Sequence, residues 1–117
     1  MAPDPRTQPT GLKAPHGART LEITWSDGHG SSYPHELLRG FCPCASCQGH
    51  SSGIRFIAGG NLEIRAVEQV GNYAIQLTWG DGHTAGIYTF RYLRALGDLI
   101  DALGADELKS MGELPRL

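Results

Sequence analysis

Apolar and polar residues alternate along several stretches of the chain, a pattern typical of strands with one buried face. Leu21, Ile23 and Trp25 share one face of the first stretch. The Asp-Gly pair that follows suits a tight hairpin turn, after which residues 31–33 return as a partner strand. Residues 62–70 and 73–79 alternate in the same way around a Gly-Asn turn, and residues 84–88 follow as a further strand. The pattern predicts antiparallel hairpins.

Helical patterns follow the hairpins. Residues 35–39 come directly after Pro34, which suits the first turn of a short helix. Between Phe90 and Leu103 the apolar residues recur at helical spacing, and we expect Gly97 to divide that helix in two. The fold class predicted is α+β, with a small, mainly antiparallel sheet.

The ends of the chain carry weaker patterns. Residues 1–18 contain four prolines and show no periodicity, so we expect a disordered N-terminal arm. The domain itself is assigned to residues 19–103. Residues 104–117 form a C-terminal tail, in which Asp106 to Met111 either make a last turn of helix or fray.

The two halves of the chain repeat one another. Trp-Ser-Asp-Gly-His at residues 25–29 recurs as Trp-Gly-Asp-Gly-His at residues 79–83. A downstream Tyr and Leu-Arg recur as well, with one residue inserted between the histidine and the tyrosine. Because turn preference alone explains only the Asp-Gly pair, we interpret the repeat as two related hairpin-plus-helix units rather than convergent turn chemistry.

Composition narrows the functional classes. The chain has 117 residues, 40% of them hydrophobic and 19% charged, which fits one globular domain with a modest core. Its formal net charge of −2 gives no basis for binding nucleic acid or an anionic membrane. No apolar run has the length of a membrane span, and the N-terminus has no signal-peptide pattern. We expect a cytoplasmic protein, and a homodimer is left open.

Three cysteines lie within six residues, at Cys42, Cys44 and Cys47, and the chain has no others. An odd number argues against a disulfide framework, and in a reducing compartment such a cluster favours metal binding or catalysis. Zinc takes thiolate and imidazole ligands in a closed tetrahedron when the site is structural. Free or buried thiols are the weaker interpretation, because unpaired structural cysteines have no reason to cluster.

Two histidines compete to be the fourth ligand. His50 lies three residues beyond Cys47, in a polar stretch, and would complete a local site. His83 lies at the tip of the second hairpin and would close a much longer loop, which removes more entropy from the unfolded chain. This argument favours His83. The alternative is that the His83 ring caps its hairpin turn, a role equally open to its counterpart His29.

A catalytic cysteine is the poorer hypothesis. A cysteine nucleophile needs a paired base and an orienting group. His83 or His35 would serve as base and Asp81 as the orienting group, but the sequence has no protease signature and no phosphate-binding glycine loop. Three sulfurs and one imidazole would also leave zinc no open position for water. The sequence therefore predicts a protein that is not an enzyme.

The combined motifs resemble the gamma-butyrobetaine hydroxylase-like N-terminal domain family. The resemblance covers about residues 19–97 and rests on both Trp-x-Asp-Gly-His blocks, the cysteine cluster, and the segments at 33–39 and 86–94. In hydroxylases this domain binds a structural zinc through three cysteines and a histidine and packs beside a 2-oxoglutarate oxygenase domain. The resemblance thus implies Cys42, Cys44, Cys47 and His83 as zinc ligands.

The resemblance does not imply hydroxylase activity. A chain of 117 residues has no room for an oxygenase barrel and shows no facial triad of two histidines and a carboxylate, so we expect a stand-alone bacterial member of a domain family of unknown function. Some relatives are fused to iron–sulfur carrier ATPases. The leading hypothesis is a non-enzymatic zinc-binding module that docks on an unidentified protein. The alternative is an accessory factor in iron–sulfur cluster assembly or metal handling that uses the same cysteines.

Overall fold

The computed structural model describes residues 5–14, 17, 19–42, 54–56, 62–83 and 86–114. Within these residues the fold is α+β, with two small antiparallel three-stranded sheets and three α-helices. No helix in these segments is long and apolar enough to cross a membrane.

The first sheet has the strand order β1-β2-β3, with β1 at Pro9–Lys13, β2 at Thr20–Trp25 and β3 at Gly30–Pro34. The alternation of β2 is confirmed, since its apolar side chains are buried and its polar ones exposed. In this sheet Leu21 pairs with Tyr33 and Ile23 with Ser31. The short helix α1, His35–Gly40, follows β3 directly and leads towards the cysteine cluster.

The second sheet has the order β5-β6-β7, with β5 at Ile64–Val70, β6 at Ala74–Trp79 and β7 at Ile87–Thr89. The predicted strands are thus confirmed, except that residues 84 and 85 of the third one lie outside the described residues, but the two halves form separate sheets rather than one. Helix α2, Phe90–Leu103, begins where the Thr89 hydroxyl accepts the Tyr92 N–H.

Gly97 does not divide α2, contrary to the sequence prediction. A Cβ atom at Gly97 would lie 2.8 Å from the Ser31 hydroxyl oxygen and 2.9 Å from that of Tyr33. The missing side chain therefore lets α2 pack closely on β3, and this packing outweighs the low helix propensity of glycine.

The ends of the chain contain more structure than the sequence predicts. The expected disordered arm is wrong for β1, which pairs with β2 and is preceded by a short 3₁₀ turn at Pro5–Thr7. The side chains of β1 are mostly exposed, so its pairing depends on backbone hydrogen bonds. The sequence of such a strand shows no alternation of apolar and polar residues. Of the two alternatives for residues 106–111, the structure has the helical one, as helix α3 at Ala105–Met111, and β8 at Glu113–Leu114 pairs with β4 at Ile54–Arg55.

The core lies between the two halves and contains the repeated aromatic residues. Trp25, Trp79, Tyr33 and Tyr88 are each at most 1% exposed. The aliphatic and phenyl side chains most completely buried with them are Leu21, Ile23, Leu37, Leu38, Phe41, Leu77, Leu93 and Leu96.

The two Asp-Gly turns match each other bond for bond. Trp25 N–H donates to the His29 carbonyl at 2.8 Å, and Trp79 N–H donates to the His83 carbonyl at 2.9 Å. The glycine of each turn has a φ of +87°. The aspartate of each turn accepts the N–H of the histidine two residues later. The prediction of two equivalent hairpin turns is confirmed.

The halves also exchange equivalent contacts. The Tyr33 hydroxyl donates to the Leu93 carbonyl, and the Tyr88 hydroxyl donates to the Leu38 carbonyl. In both cases the strand tyrosine of one half bonds the helix leucine of the other. Each half therefore completes the packing of the other.

Candidate metal centre

Cys42 lies just beyond the end of α1, where the chain leaves the helix. The backbone N–H of Phe41 bonds to the Leu37 carbonyl, and that of Cys42 donates to the Arg39 carbonyl at 3.4 Å. The Cys42 side chain is completely buried. The helix end thus holds the first cysteine of the cluster inside the protein.

His83 is fixed by the turn that connects β6 to the rest of the second hairpin. The Asp81 carboxylate accepts the His83 N–H at 3.0 Å, and the His83 carbonyl accepts the Trp79 N–H. Gly82 supplies the positive φ that the turn requires. The turn therefore fixes the backbone of His83 before any metal binds.

Cys42 and His83 are brought together from opposite halves of the chain. The Cys42 Sγ lies 3.3 Å from the His83 Nε2, although the two residues are 41 positions apart. Zinc bonds of 2.3 Å to sulfur and 2.0–2.1 Å to nitrogen, at the tetrahedral angle, separate these two atoms by roughly 3.6 Å. A slightly larger separation of these two atoms would let both bind one zinc ion, as two of its four tetrahedral ligands.

Gly86 provides the space that the thiol occupies. A Cβ atom at this position would lie 2.8 Å from Cys42 Sγ and 3.0 Å from the Tyr88 ring. Real Cβ atoms essentially never make contacts under 3.0 Å, so any side chain at residue 86 would force the Cys42 sulfur to shift. The chain leaves this position open for a sulfur atom.

The surroundings of His83 lower the pKa of its imidazole and so favour the neutral form, although the Asp81 charge acts in the opposite direction. Burial lowers the pKa of His83, and the Arg39 guanidinium lowers it further. Arg39 lies 3.3 Å from Asp81, whose own pKa is lowered first by the His83 backbone N–H and then by Arg39. Metals bind the neutral form of imidazole, because that form has a free nitrogen lone pair.

The remaining predicted ligands, Cys44 and Cys47, lie outside the described residues, and so does the rival His50. The set of four ligands therefore stays a prediction, of which the structure positions the cysteine and the histidine that come from different halves. The donor types present, one thiol and one neutral imidazole, fit zinc.

Cys42, His83 and Asp81 are not arranged as a nucleophile, a base and a carboxylate that orients the base. Cys42 does lie beside His83, but the Asp81 carboxylate contacts the His83 backbone N–H and Arg39. His35 lies elsewhere: its Nδ1 is 2.9 Å from the Leu62 carbonyl, and burial lowers its pKa.

Arg39, Trp79, Gly86 and Tyr88 surround the site, and sequence reasoning gave none of them a role there. The signal that could have found them is the internal repeat. Tyr88 and Arg39 each have a counterpart in the other half, whereas Gly86 stands where the first half has Ser31. Where two repeats share the surrounding residues but differ at one position, that position is a candidate for a function specific to one repeat.

The counterpart of His83 in the first half lies in a different environment. His29 Nε2 is 3.0 Å from Asp101 and 4.0 Å from Asp98, and the ligand atoms of these three residues all lie within 4.8 Å of one another. Asp98 also pairs with Arg94 at 3.1 Å and with Arg6 at 3.3 Å. We interpret this cluster as a partly exposed network of ion pairs.

Comparison with known proteins gives a family and solved structures of similar fold. A family model described as "Gamma-butyrobetaine hydroxylase-like, N-terminal" matches residues 12–94. A crystal structure of a protein of unknown function in the DUF971 family, from Acidithiobacillus ferrooxidans ATCC 23270, is 40% identical, with a TM-score of 0.66. That match covers 81% of this chain and 98% of the other.

Two proteins with NMR solution structures are also similar. The first is 31% identical with a TM-score of 0.67, and the match covers 89% of this chain and 83% of that protein. The second is 29% identical with a TM-score of 0.67, and the match covers 100% of this chain and 93% of that protein.

Proposed function

Since the chain belongs to the gamma-butyrobetaine hydroxylase-like, N-terminal family, we propose that it is a non-enzymatic zinc-binding module that docks on another protein. Zinc would be held by Cys42, Cys44, Cys47 and His83. The metal would be structural and would tie the end of α1 to the turn of the second hairpin.

The observation that carries the metal proposal is the 3.3 Å separation of Cys42 Sγ from His83 Nε2. Two further features support it. Gly86 leaves room for the sulfur, and the lowered pKa of His83 keeps the imidazole in its metal-binding form. A cluster of three cysteines that begins at Cys42 supplies the remaining donors expected of a closed site.

The non-enzymatic part of the proposal rests on burial and on coordination. Cys42 is completely buried, so a substrate in solvent has no direct access to its sulfur. A zinc ion with four protein ligands has no open position at which to activate water. Both features fit a metal that stabilises the fold rather than one that reacts.

The docking part rests on the family. Its description places the matched region at the N-terminus of gamma-butyrobetaine hydroxylase-like proteins, and we infer that such a region packs on another part of those proteins. Large apolar side chains are also exposed on this domain, and a docking partner would have to bury a contiguous group of them. Those among the described residues are Leu12, Tyr73, Ile87, Leu103 and Met111.

The metal proposal is tested by elemental analysis and an absorption spectrum of protein purified without oxygen. Colourless protein with one zinc per chain is the expected result. Brown protein with visible charge-transfer bands would favour the alternative, an accessory factor in iron–sulfur cluster assembly, since soft thiolates bind either metal. Protein that binds neither metal after loading would contradict both hypotheses.

The docking proposal requires a separate experiment. Tagged, zinc-loaded protein is used to isolate binding proteins, and each one identified is then purified and titrated against the zinc-loaded and the chelated chain. We expect saturable binding of one protein that weakens when zinc is removed. Only self-association in these titrations would instead indicate a homodimer.

A further inference from the structure

The two buried tryptophans have equivalent positions but different hydrogen bonding. Trp25 Nε1 donates to the Ser31 hydroxyl at 2.8 Å. Trp79 Nε1 is buried and has no hydrogen-bond partner in the structure. A buried N–H without an acceptor is costly, so an acceptor that appears only in the functional state would remove this cost.

The position of the missing acceptor follows from the repeat. Counting back from Tyr33 and Tyr88, Ser31 corresponds to Gly86. Counting forward from the two Leu-Arg pairs, Cys42 corresponds to Gly97. Trp79 therefore has no serine at the place where Trp25 finds one.

The sulfur of Cys42 lies close to the place that a serine side chain at residue 86 would occupy. Ser31 Oγ lies 2.8 Å from the Cβ position of Gly97, and Cys42 Sγ lies 2.8 Å from the Cβ position of Gly86. The same contact thus occurs in both halves, with the side chain and the glycine exchanged: the serine lies in β3 and its glycine in α2, whereas Cys42 follows α1 and Gly86 precedes β7. By this equivalence, the indole N–H of Trp79 is expected to face the Cys42 sulfur as that of Trp25 faces the Ser31 hydroxyl.

The Tyr88 hydroxyl lies next to both groups. A Cβ atom at Gly86 would lie 2.8 Å from Cys42 Sγ and 3.0 Å from the Tyr88 ring, and the Tyr88 hydroxyl interacts with the side chains of both Cys42 and Trp79. In the first half the Tyr33 hydroxyl interacts with Ser31. The indole of Trp79 and the thiol of Cys42 therefore share one neighbour, although no hydrogen bond of standard geometry yet joins the indole N–H to an acceptor.

His35 is the rival acceptor, since its Nε2 is also buried and unpartnered and its ring lies 5.8 Å from that of Trp79. The repeat argues against it. Phe90, the counterpart of His35, packs on Trp25 with nearly the same geometry, 6.4 Å and 79° against 5.8 Å and 78°. Because phenylalanine offers no nitrogen acceptor, this edge contact is a packing contact in both halves.

We propose that the indole N–H of Trp79 donates a hydrogen bond to the Cys42 sulfur once that sulfur is a metal-bound thiolate. A neutral thiol is a weak acceptor, whereas a thiolate is a charged and much stronger one. The bond would orient the sulfur and stabilise its negative charge. Trp79 is thus a positioning residue for the metal, and this inference rests on the metal site proposed above.

The test uses the full chain loaded with ¹¹³Cd, which replaces zinc at thiolate sites and is visible by NMR. We expect a downfield shift of the Trp79 indole proton on loading and a scalar coupling between that proton and the cadmium nucleus through the hydrogen bond. The Trp25 indole proton, which donates to Ser31, should show neither effect.

A pair of variants gives the second readout. Trp79→Phe should weaken zinc binding by about tenfold to a hundredfold in competition with a chelator, the usual effect of losing a group that supports a ligand. Trp25→Phe removes an equally buried indole and should leave zinc affinity unchanged, so it controls for lost packing.

Several results would overturn the inference. Cadmium-loaded protein in which the Trp79 indole proton neither shifts nor couples would contradict it, as would equal zinc affinities for the two variants. An indole signal that ignores the metal but changes in His35→Phe would assign the bond to His35. Failure of the chain to bind zinc or cadmium at all would instead overturn the proposed metal site, together with the inference that rests on it.

Discussion

Arg39 donates from two guanidinium nitrogens to one carboxylate oxygen of Asp81, both at 3.3 Å, across 42 residues of sequence. The equivalent pair joins Arg94 of the second half to Asp27 of the first half, at 2.9 Å. Each turn aspartate is therefore held by the helix arginine of the other half. Only the Arg39 pair lies at the turn that carries His83.

The two aspartates give a matched test of how the turn positions His83. Asp81→Ala removes the acceptor of the His83 N–H and the partner of Arg39, so zinc affinity should fall by about tenfold, as expected for a group that orients a ligand. Asp27→Ala removes the same contacts in the first half and should leave zinc affinity unchanged. Chelator competition on both variants measures this, and equal affinities would show that the turn does not position the ligand.

The two close glycines give a second matched pair. In Gly86→Ala the new methyl group would displace Cys42 Sγ, so we expect weaker zinc binding and a loss of about 1–3 kcal/mol in unfolding free energy. In Gly97→Ala the methyl group would meet Ser31 instead, and a helix-propensity gain of up to about 1 kcal/mol would offset part of the clash.

Zinc titration and urea unfolding of both glycine variants separate the two effects. Gly97→Ala should retain the zinc affinity of the original chain. If Gly86→Ala also retained that affinity, Gly86 would be a packing residue with no role in the metal site.

The sequence predicts this fold to the extent that local patterns determine it. The alternation at Leu21, Ile23 and Trp25 and the two Asp-Gly turns are local signals, and both are confirmed. The effect of Gly97 is not local, because it depends on Ser31 and Tyr33 packing against the helix. Strand β1 was missed because an edge strand with exposed side chains leaves no apolar pattern.

The candidate site, like the fold, could be predicted only where local sequence signals determine it. Cysteine spacing and loop entropy selected Cys42 and His83, and the structure places these two side chains in contact, while their role as ligands stays a prediction. The pairing of Arg39 with Asp81 could not be predicted, since it depends on how the two halves pack. The unpartnered indole nitrogen of Trp79 is likewise visible only once the surrounding core is known.

His35 predicts a dependence of stability on pH that is separate from the metal. Burial lowers its pKa below 6.5, so between that value and the lower folded pKa the unfolded chain binds more protons. The stability associated with the neutral ring is therefore complete above about pH 6.5 and is lost as pH falls towards the folded pKa.

The His35 prediction is checked by NMR titration of the ring. We expect the ring to be neutral at pH 6.5, with its proton on Nδ1, where it can donate to the Leu62 carbonyl. Unfolding measured from pH 7.5 to 5.5 should show a smaller loss of stability in His35→Phe than in the original chain. A ring that is half protonated at pH 6.5 would contradict the buried, neutral state.

Removal of the metal should destabilise the domain substantially. A small core has little surplus stability, so a metal that joins residues 42 and 83 should contribute several kcal/mol to folding. We expect a chelator, or mild acid that protonates the ligands, to lower the melting temperature and to speed amide exchange first in residues 40–60. Unchanged melting temperature and exchange in metal-free protein would rule out a structural metal and favour a transferable one.

The central claim, a metal held between the two halves by the cysteine cluster and His83, is tested most directly by zinc content. Elemental analysis is made on purified, refolding-competent His83→Ala and His50→Ala, with the original chain as reference. The account predicts one zinc per chain in the original protein and in His50→Ala, and weak or no retention in His83→Ala after dialysis. Full retention in His83→Ala together with loss in His50→Ala would contradict it and would place the metal in a local site formed by residues 42–50.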